Sequence, residues 1–391
     1  MRRSLNRRRA VEGAFDVIVV GLGAMGSSAA YHLARRGAKV LGLEAFSPAH
    51  NKGSSHGESR IIRQAYFEDP AYVPLVLRAY HLWQELEAES NQNLLNVTGG
   101  LAIGSPQGEL VSGCVKSART HSLNYDLFSA IEMKQRFPQF VLAESEVAFY
   151  EQKAGYLWPE ECVKQHLECA SKRGADLRFE EPILAWTAAE SGEGVTVITE
   201  KNTYRAQSLV IAAGPWTGGF VPGLPLSLAV SRRVMFWLKP VHQHDSFDKK
   251  VFPIFLWEPA EGPLFYGFPR THQAGDPKVA IHTGGEDCTP FTIDRNIHPS
   301  DEAAIRSAIK LRIPALNGEV SRAITCMYTM TRDQHFIVDR HPRHPQVSIA
   351  AGFSGHGFKF SPVVGEILCD LALSRQTSSN IDLFSVSRLD R

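Results

Sequence analysis

Three glycines near the start of the chain, Gly21, Gly23 and Gly26, form a G-x-G-x-x-G motif. The first glycine permits a tight turn, the second lets the backbone approach a pyrophosphate, and the third allows a helix and a strand to pack closely. Glu44 follows the first glycine by 23 residues, where an acidic side chain accepts hydrogen bonds from ribose hydroxyls. These residues predict a dinucleotide site, but NAD and FAD share the motif.

The elements around the motif support this interpretation. Residues 15–20 are an apolar, β-branched run typical of a buried parallel strand. Residues 27–36 predict a helix closed by Gly37, and residues 39–43 predict the next strand. The start of that helix would offer free N–H groups and a positive dipole end to phosphates.

Two later segments favour FAD over NAD. Residues 208–217 predict a buried strand that returns to the same sheet and ends in a Gly-Pro turn at Gly214. Residues 347–359 predict another strand and a turn with glycines at 352, 355 and 357, which let backbone N–H groups approach a flat ligand. Ser361 and Pro362 then predict the N-cap and first residue of a helix that runs through Leu371.

We therefore predict a mixed α/β fold with two domains and a disordered tail at residues 1–13. A discontinuous, Rossmann-like FAD-binding domain of the glutathione-reductase type comprises residues 14–90, 152–222 and 322–391. A substrate domain with an antiparallel sheet comprises residues 91–151 and 223–321, with strand character at 256–268 and 278–285. Residues 75–89 predict a surface helix with one apolar face.

Composition excludes several other classes of protein. With 42 basic and 41 acidic residues the net charge is +1, unlike a general nucleic-acid binder. No apolar run reaches the roughly eighteen residues of a membrane span. The six cysteines contain no CxxC pair and the fifteen histidines no HExxH motif, so we expect neither disulfides nor a metal site. With no secretory signal or peroxisomal tripeptide, we expect a cytoplasmic protein, although the arginine-rich N-terminus leaves a targeting segment open.

Three separated motifs carry a family resemblance: residues 53–63 (GSSHGESRIIR), 326–328 (CMY) and 352–359 (GFSGHGFK). In this order they resemble the monomeric sarcosine oxidase family, which also holds N-methyltryptophan oxidase and pipecolate/sarcosine oxidase. The resemblance runs from about residue 15 to about residue 389. It implies a monomeric FAD-dependent oxidase of secondary α-amino acids, with oxygen as acceptor and hydrogen peroxide as product. It also implies covalent FAD, attached through the sulfur of Cys326.

The same resemblance implies roles for individual residues. Arg63 and Lys359 would clamp the substrate carboxylate, and Lys278 would activate oxygen beside the flavin. The residues implied near the flavin ring are Arg60, Ser59 (often threonine in the family) and His56. Tyr266 and His282 would shape the substrate cavity. The remaining implied cofactor contacts are Gly214, Gly355, His356 and Gly357.

The sequence leaves several alternatives open. An NAD-dependent dehydrogenase fits the first 45 residues alone, and a non-catalytic FAD-binding module fits the motifs. Within the family, the substrate could be sarcosine, another N-methyl amino acid or a cyclic one. Neither the oligomeric state nor the choice between hydride transfer and a polar adduct can be read from these residues.

Overall fold

The computed structural model describes residues 11–224, 226–272 and 275–390. The predicted tail therefore lies largely outside the described residues. The prediction is wrong for residues 11–13, because the first strand begins at Val11 rather than at Phe15. In that strand Val11 and Glu12 pair in parallel with Thr203 and Tyr204, so main-chain hydrogen bonding extends it beyond the apolar run.

Twenty strands and eight helices follow one another along the described chain. The strands are β1 (Val11–Val20), β2 (Val40–Leu43), β3 (Arg60–Ile62), β4 (Leu95–Val97), β5 (Gly100–Gly104), β6 (Asp126–Ser129), β7 (Val147–Glu151), β8 (Gly155–Leu157), β9 (Asp176–Arg178), β10 (Ile183–Ala188), β11 (Val195–Thr199), β12 (Thr203–Ile211), β13 (Ala229–Leu238), β14 (Ile254–Trp257), β15 (Phe265–Phe268), β16 (Lys278–Ile281), β17 (Glu286–Cys288), β18 (Val320–Met330), β19 (Ile337–His341) and β20 (His344–Ala351). The helices are α1 (Ala24–Arg35), α2 (Tyr72–Ser90), α3 (Glu109–Thr120), α4 (Ala130–Arg136), α5 (Pro159–Lys172), α6 (Thr217–Phe220), α7 (Pro299–Ile309) and α8 (Ser361–Ser374).

An eight-stranded sheet holds the glycine motif. Its main path runs β10-β11-β12-β1-β2-β9, and β20 joins β12 and pairs with β19. β1 pairs in parallel with β2 and β12, and β12 pairs in parallel with β20, so both predicted returning strands lie in this sheet. Both faces of β1 are buried, with Val17 and Val19 in one apolar cluster and Ile18 and Val20 in another. Parallel strands covered on two faces have continuous apolar sequences, which is why this strand could be predicted from the sequence.

Helices α1, α5 and α8 pack together on one face of this sheet.

The prediction that Ser361 caps α8 is wrong. Phe360 is the N-cap, Ser361 is the first helical residue, and the Ser361 hydroxyl has no hydrogen-bond partner among the described residues. A 3₁₀ turn at Phe358–Phe360 leads directly into the helix, so the chain is already helical where a cap was expected.

A nine-stranded, mostly antiparallel sheet forms the second layer of the molecule. Its path is β17-β13-β16-β15-β14-β5-β7-β6, with β18 paired to β13. β18 pairs with β13 from Val320 to Met330, although the predicted boundary assigned it from residue 322 to the FAD-binding domain. By its pairing this strand belongs to the second sheet. The other domain limits stay predictions.

Two smaller features place side chains near the site. β3, which begins with Arg60, pairs with β8, and β8 pairs with β4. The predicted helix at residues 75–89 is α2, and its expected apolar face (Leu75, Ala79, Leu82 and Leu86) is buried. Among the described residues, no helix combines the length and apolarity that crossing a membrane requires.

Candidate active site

A cavity of about 500 Å³ extends from the glycine motif to the second sheet. The residues singled out from sequence that line it are Gly21, Gly23, Glu44, Arg60, Arg63, Gly214, Tyr266, His282, Gly355, His356, Gly357 and Lys359. Those that do not line it are Gly26, His56, Ser59, Lys278 and Cys326. The structure thus brings twelve of the seventeen candidates to one surface.

The glycine motif forms the end of the cavity next to α1. Gly21 has a φ of +82°, and a Cβ there would lie 2.6 Å from the carbonyl oxygen of Ala212. A Cβ at Gly26 would overlap the carbonyl oxygen of Gly21, so this glycine allows α1 to pack on the turn. At Gly23 the nearest atom to a Cβ would be the Ser55 Oγ at 3.5 Å. The open space at Gly23, beside the start of a helix, fits a pyrophosphate.

Glu44 is the acidic group of this end. It is buried at the end of β2, where its Oε2 accepts a hydrogen bond from the Leu22 N–H at 2.8 Å. Its Oε1 accepts from the Phe46 N–H at 3.1 Å. These bonds fix the carboxylate against the turn, with lone pairs left to accept ribose hydroxyls.

The glycine-rich turn after β20 forms another wall. Gly355 has a φ of +81°, and a Cβ there would overlap the ring of Tyr328. The His356 ring is held by protein, with Nδ1 2.6 Å from the Tyr66 hydroxyl and Nε2 3.0 Å from the Gln334 carbonyl oxygen. Burial lowers the pKa of His356 to about 3, so the ring is neutral. Both ring nitrogens are therefore engaged within the protein, and so is the His356 N–H, which donates to the Phe353 carbonyl oxygen at 3.0 Å.

Arg60, which lines the cavity, lies next to Cys326, which does not. Cys326 is buried on β18, and its Sγ is 3.7 Å from the Arg60 Nη2 and 3.8 Å from the Ser54 carbonyl oxygen. Arg60 also donates to the carbonyl oxygens of Ser54, His56 and Ser59. The arrangement places a positive charge beside the sulfur. All six cysteines are free thiols.

Lys278 is buried on β16 and bonded to backbone. Its Nζ donates to the carbonyl oxygens of Gly57 at 2.8 Å and Ser59 at 2.7 Å, and it lies 4.1 Å from the centre of the Phe268 ring. Burial, with the nearby Arg60, holds the pKa of Lys278 well below its usual range. Two of its three N–H donors are thus occupied.

His56 and Ser59 hold buried polar atoms that lack a partner. Neither the His56 Nε2 nor the Ser59 Oγ forms a hydrogen bond with any described residue. Burial lowers the pKa of His56 to about 4, so this ring is neutral as well. Buried polar atoms without partners are rare in native proteins, and a ligand is one way to satisfy them. Because neither residue lines the cavity, the fit of a cofactor rests on the glycine motif, Glu44 and the turn at Gly355 instead.

Arg63 and Lys359 both lie over the Tyr66 ring. The Arg63 guanidinium is 4.2 Å and the Lys359 Nζ 5.1 Å from the ring centre. Arg63 donates to both carboxylate oxygens of Glu68, at 2.6 and 2.9 Å. Lys359 donates to the His356 carbonyl oxygen at 2.6 Å. Burial and the nearby Arg63 lower the pKa of Lys359 to about 7. The two predicted clamp residues are therefore neighbours, and one already holds an acid.

Three rings form the wall contributed by the second sheet. Tyr266 on β15 is directly opposite Ala280 in the β15–β16 pairing, which places its side chain on the face shared with Lys278 and His282. The Tyr266 and Tyr328 hydroxyls are 3.4 Å apart, and the His282 ring packs against both tyrosines. Burial lowers the pKa of His282 to about 4 and raises that of Tyr266, so both are neutral.

Sequence reasoning missed several residues of this site. Tyr66 and Glu68 belong to no motif that we recognised. The only sequence signal for them is that they follow Arg63 by three and five residues. Tyr328 belongs to the CMY motif and was within reach of the same reasoning that selected Cys326. Among the described residues, no group of three or more histidine, cysteine, aspartate or glutamate side chains is arranged to hold a metal ion.

Known proteins are similar to this chain over nearly its whole length. A family model described as FAD dependent oxidoreductase matches residues 16–371. The chain is 47% identical over 377 residues to the monomeric sarcosine oxidase of Streptomyces avermitilis, covering 96% of this chain and 98% of that protein. It is 33% identical over 383 residues to the N-methyl-L-tryptophan oxidase of Yersinia pestis, covering 96% and 99%.

Solved structures share the fold. NikD, described as an unusual amino acid oxidase essential for nikkomycin biosynthesis, matches with a TM-score of 0.83 at 23% identity, over 96% of this chain and 98% of that one. Glycine oxidase from Geobacillus kaustophilus matches with a TM-score of 0.79 at 20% identity, over 96% and 99%. The predicted fold class is confirmed.

The comparisons also decide between the alternatives that the sequence left open. The family model covers most of the chain and names FAD, which excludes the NAD-dependent dehydrogenase. The relatives that match nearly the whole chain are enzymes, so the chain is a flavoprotein oxidoreductase and not only a binding module. The family resemblance is therefore confirmed: the chain belongs to the FAD-dependent oxidoreductases, among the monomeric sarcosine oxidases and N-methyltryptophan oxidases.

Proposed function

We propose that the protein oxidises secondary α-amino acids of the N-methyl kind, such as sarcosine. The products would be an imine, which water hydrolyses to an amine and an aldehyde, and hydrogen peroxide from oxygen. FAD supplies the two-electron acceptor when bound. The names of the relatives support this substrate class, and the word "monomeric" in them supports a monomer.

The observation that carries the proposal is the pair of buried cations at the Tyr66 ring. A carboxylate entering the cavity loses its hydration and needs charged donors in return. Arg63 offers a planar, two-pronged group and Lys359 a point charge, and both line the cavity. Because Glu68 occupies Arg63, a substrate carboxylate has to share or displace that contact.

The charges that line the cavity favour the unprotonated form of the substrate amine. Glu68 offsets the charge of Arg63, but Arg60 and Lys359 still contribute positive charge, and a further cation nearby is unfavourable. The cavity therefore favours the neutral amine, whose nitrogen lone pair is needed for oxidation. Tyr266 and His282 are uncharged, so they can orient the amino acid by hydrogen bonding without adding charge.

We infer that Cys326 holds FAD covalently through a thioether. The residue is buried, its sulfur has a guanidinium for a neighbour, and the cofactor-binding turn at Gly355 packs on Tyr328 two residues away. Flavin fluorescence should then migrate with the chain on a denaturing gel, and Cys326→Ser should abolish this. Release of all flavin from the wild type by acid precipitation would contradict the inference.

We also infer that Lys278 assists the reaction with oxygen. A fixed positive charge stabilises the negative charge that develops when oxygen accepts an electron. Lys278→Met should slow flavin reoxidation by orders of magnitude and change anaerobic reduction much less. Equal slowing of both half-reactions would show that Lys278 has another role.

A peroxide-release assay over a panel of amino acids tests the proposed function. The panel should pair each N-methyl amino acid with its unmethylated parent, for example sarcosine with glycine, and include cyclic amino acids. We expect peroxide from N-methyl amino acids well above that from their parents. Peroxide only from unmethylated amino acids, or from none of the panel, would contradict the proposal.

A further inference from the structure

The turn at residues 56–59 lies between two buried cations and one carboxylate. Gly57 and Glu58 both have positive φ, +107° and +65°, so this backbone is held in a conformation that most residues avoid. Arg60 and Lys278 approach the turn from one side. Glu160, in the first turn of α5, approaches its N–H groups from the other.

Two consecutive peptide groups of this turn each connect a cation to Glu160. In the first, the His56 carbonyl oxygen accepts from the Arg60 Nη2, and the Gly57 N–H donates to the Glu160 Oε1 at 2.6 Å. In the second, the Gly57 carbonyl oxygen accepts from the Lys278 Nζ at 2.8 Å. The N–H of that same group, on Glu58, donates to both Glu160 oxygens at 3.2 Å. Each peptide dipole therefore points its oxygen at a cation and its N–H at the carboxylate.

This arrangement balances charge that is otherwise uncompensated. Among the described residues, neither Arg60 nor Lys278 forms an ion pair, although Lys278 is 1% exposed. Glu58 is turned toward Arg322, with which it pairs. A buried charge is costly without a partner, and hydrogen-bonded groups in a low dielectric polarise one another. Glu160 can therefore act as a counter-charge for Arg60 and Lys278, with one peptide group between the carboxylate and each cation.

We propose that Glu160 is a positioning residue that acts on Arg60 and Lys278 through the peptide groups 56–57 and 57–58. It orients the carbonyl oxygens that hold both cations, and its negative charge stabilises their protonated forms through these dipoles. The effect of Glu160 on the oxygen reaction rests on the proposed function of Lys278. The coupling between the charges of Glu160, Arg60 and Lys278 does not depend on that function.

A double-mutant cycle separates this proposal from a purely local role as a cap of the turn. Glu160→Gln keeps the size and one acceptor but removes the charge. Glu161→Gln is the matched control, because Glu161 lies in the same helical turn but bonds to Gln165. The midpoint of thermal unfolding is measured for the holoenzyme with Lys278 and with Lys278→Met.

With Lys278 present, we expect Glu160→Gln to lower the midpoint by about 2–4 °C. In the Lys278→Met background the drop should be about half as large, because one of the two uncompensated cations is gone and Arg60 remains. Glu161→Gln should shift the midpoint equally in both backgrounds. An equal drop from Glu160→Gln in both backgrounds would overturn the proposal, since a local cap does not depend on the charge of Lys278.

The pH dependence of flavin reoxidation is the second measurement. The charged and titratable groups around Lys278 are Arg60, which lowers its pKa, and Glu160, Glu58 and Cys326, which raise it. Removing the Glu160 charge should therefore move the pH at which reoxidation slows to a lower value, while Glu161→Gln leaves it in place. An unchanged pH profile in Glu160→Gln would contradict the proposal. If the wild type oxidises no amino acid, the proposed function fails, and the unfolding cycle still decides the role of Glu160.

Discussion

Arg63 is not a free cation in this cavity, because Glu68 holds it with two hydrogen bonds. Although burial alone would raise the pKa of Glu68, Arg63 lowers it to about 2, so the acid is ionised. Removing Arg63 by itself would leave that carboxylate buried without a partner, which costs about 3–5 kcal/mol. Substitutions at this pair therefore have to be interpreted together.

The two clamp residues are best tested with a simple carboxylate inhibitor. Lys359→Met should weaken its binding by about one to two powers of ten, because a charge-assisted contact is worth about 1.5–3 kcal/mol. Glu68→Gln should tighten binding, since it removes the competing acid. Arg63→Met in the Glu68→Gln background should weaken it again. Titration of the flavin spectrum measures each affinity, and unchanged affinity in Lys359→Met would contradict the clamp.

The same lysine predicts how binding depends on pH. Its pKa is lowered to about 7 by burial and Arg63, so it loses its proton as the pH rises through neutrality. Inhibitor affinity should therefore fall as the pH rises above about 7, by up to tenfold per unit. Lys359→Met should lose this dependence. A wild-type affinity that stays constant between pH 6 and pH 9 would show that Lys359 does not contribute charge to binding.

At the scale of elements, the contact between α1 and the first turn depends on Gly26. A Cβ there would overlap the Gly21 carbonyl oxygen, so Gly26→Ala should lower the free energy of unfolding by about 1–3 kcal/mol and reduce the FAD content. Gly219→Ala is the control, because nothing lies within 4 Å of a Cβ at that position. Full FAD content and stability in Gly26→Ala would contradict this account of the turn.

Local patterns made the β1-α1-β2 unit predictable, since its strands are apolar on both faces and its glycines are adjacent in sequence. The predicted N-cap of α8 is one residue too late because a 3₁₀ turn precedes the helix, and no residue type in the sequence indicates that turn. The placement of Cys326 on the second sheet depends on pairing with β13, almost a hundred residues earlier. Glu68 and Glu160 were missed for the same reason: their roles come from contacts that only the fold creates.

At the scale of the whole molecule, buried neutral histidines should limit stability in acid. His32 on α1 and His166 on α5 each have a buried Nε2 without a partner among the described residues. Burial lowers the pKa of both to about 3. Between pH 6.5 and pH 3 the unfolded chain binds protons that the folded protein does not, so stability falls as the pH decreases through this range.

Replacing one of these histidines should reduce that loss. Between pH 6.5 and pH 4.5, His166→Leu should lose about 2 kcal/mol less unfolding free energy than the wild type. His81→Leu is the control, because His81 is an exposed histidine of α2. Urea unfolding at a series of pH values measures the difference. Identical pH dependence in His166→Leu and the wild type would show that His166 is not kept neutral by burial.

Anaerobic mixing with sarcosine shows whether this fold joins FAD to a cavity for an N-methyl amino acid. Reduction bleaches the flavin absorbance, and later addition of oxygen restores it with the release of peroxide. We expect full bleaching by sarcosine, slower or absent bleaching by glycine, and recovery with one peroxide per flavin. A flavin that stays oxidised with sarcosine and every other N-methyl amino acid tried would contradict it.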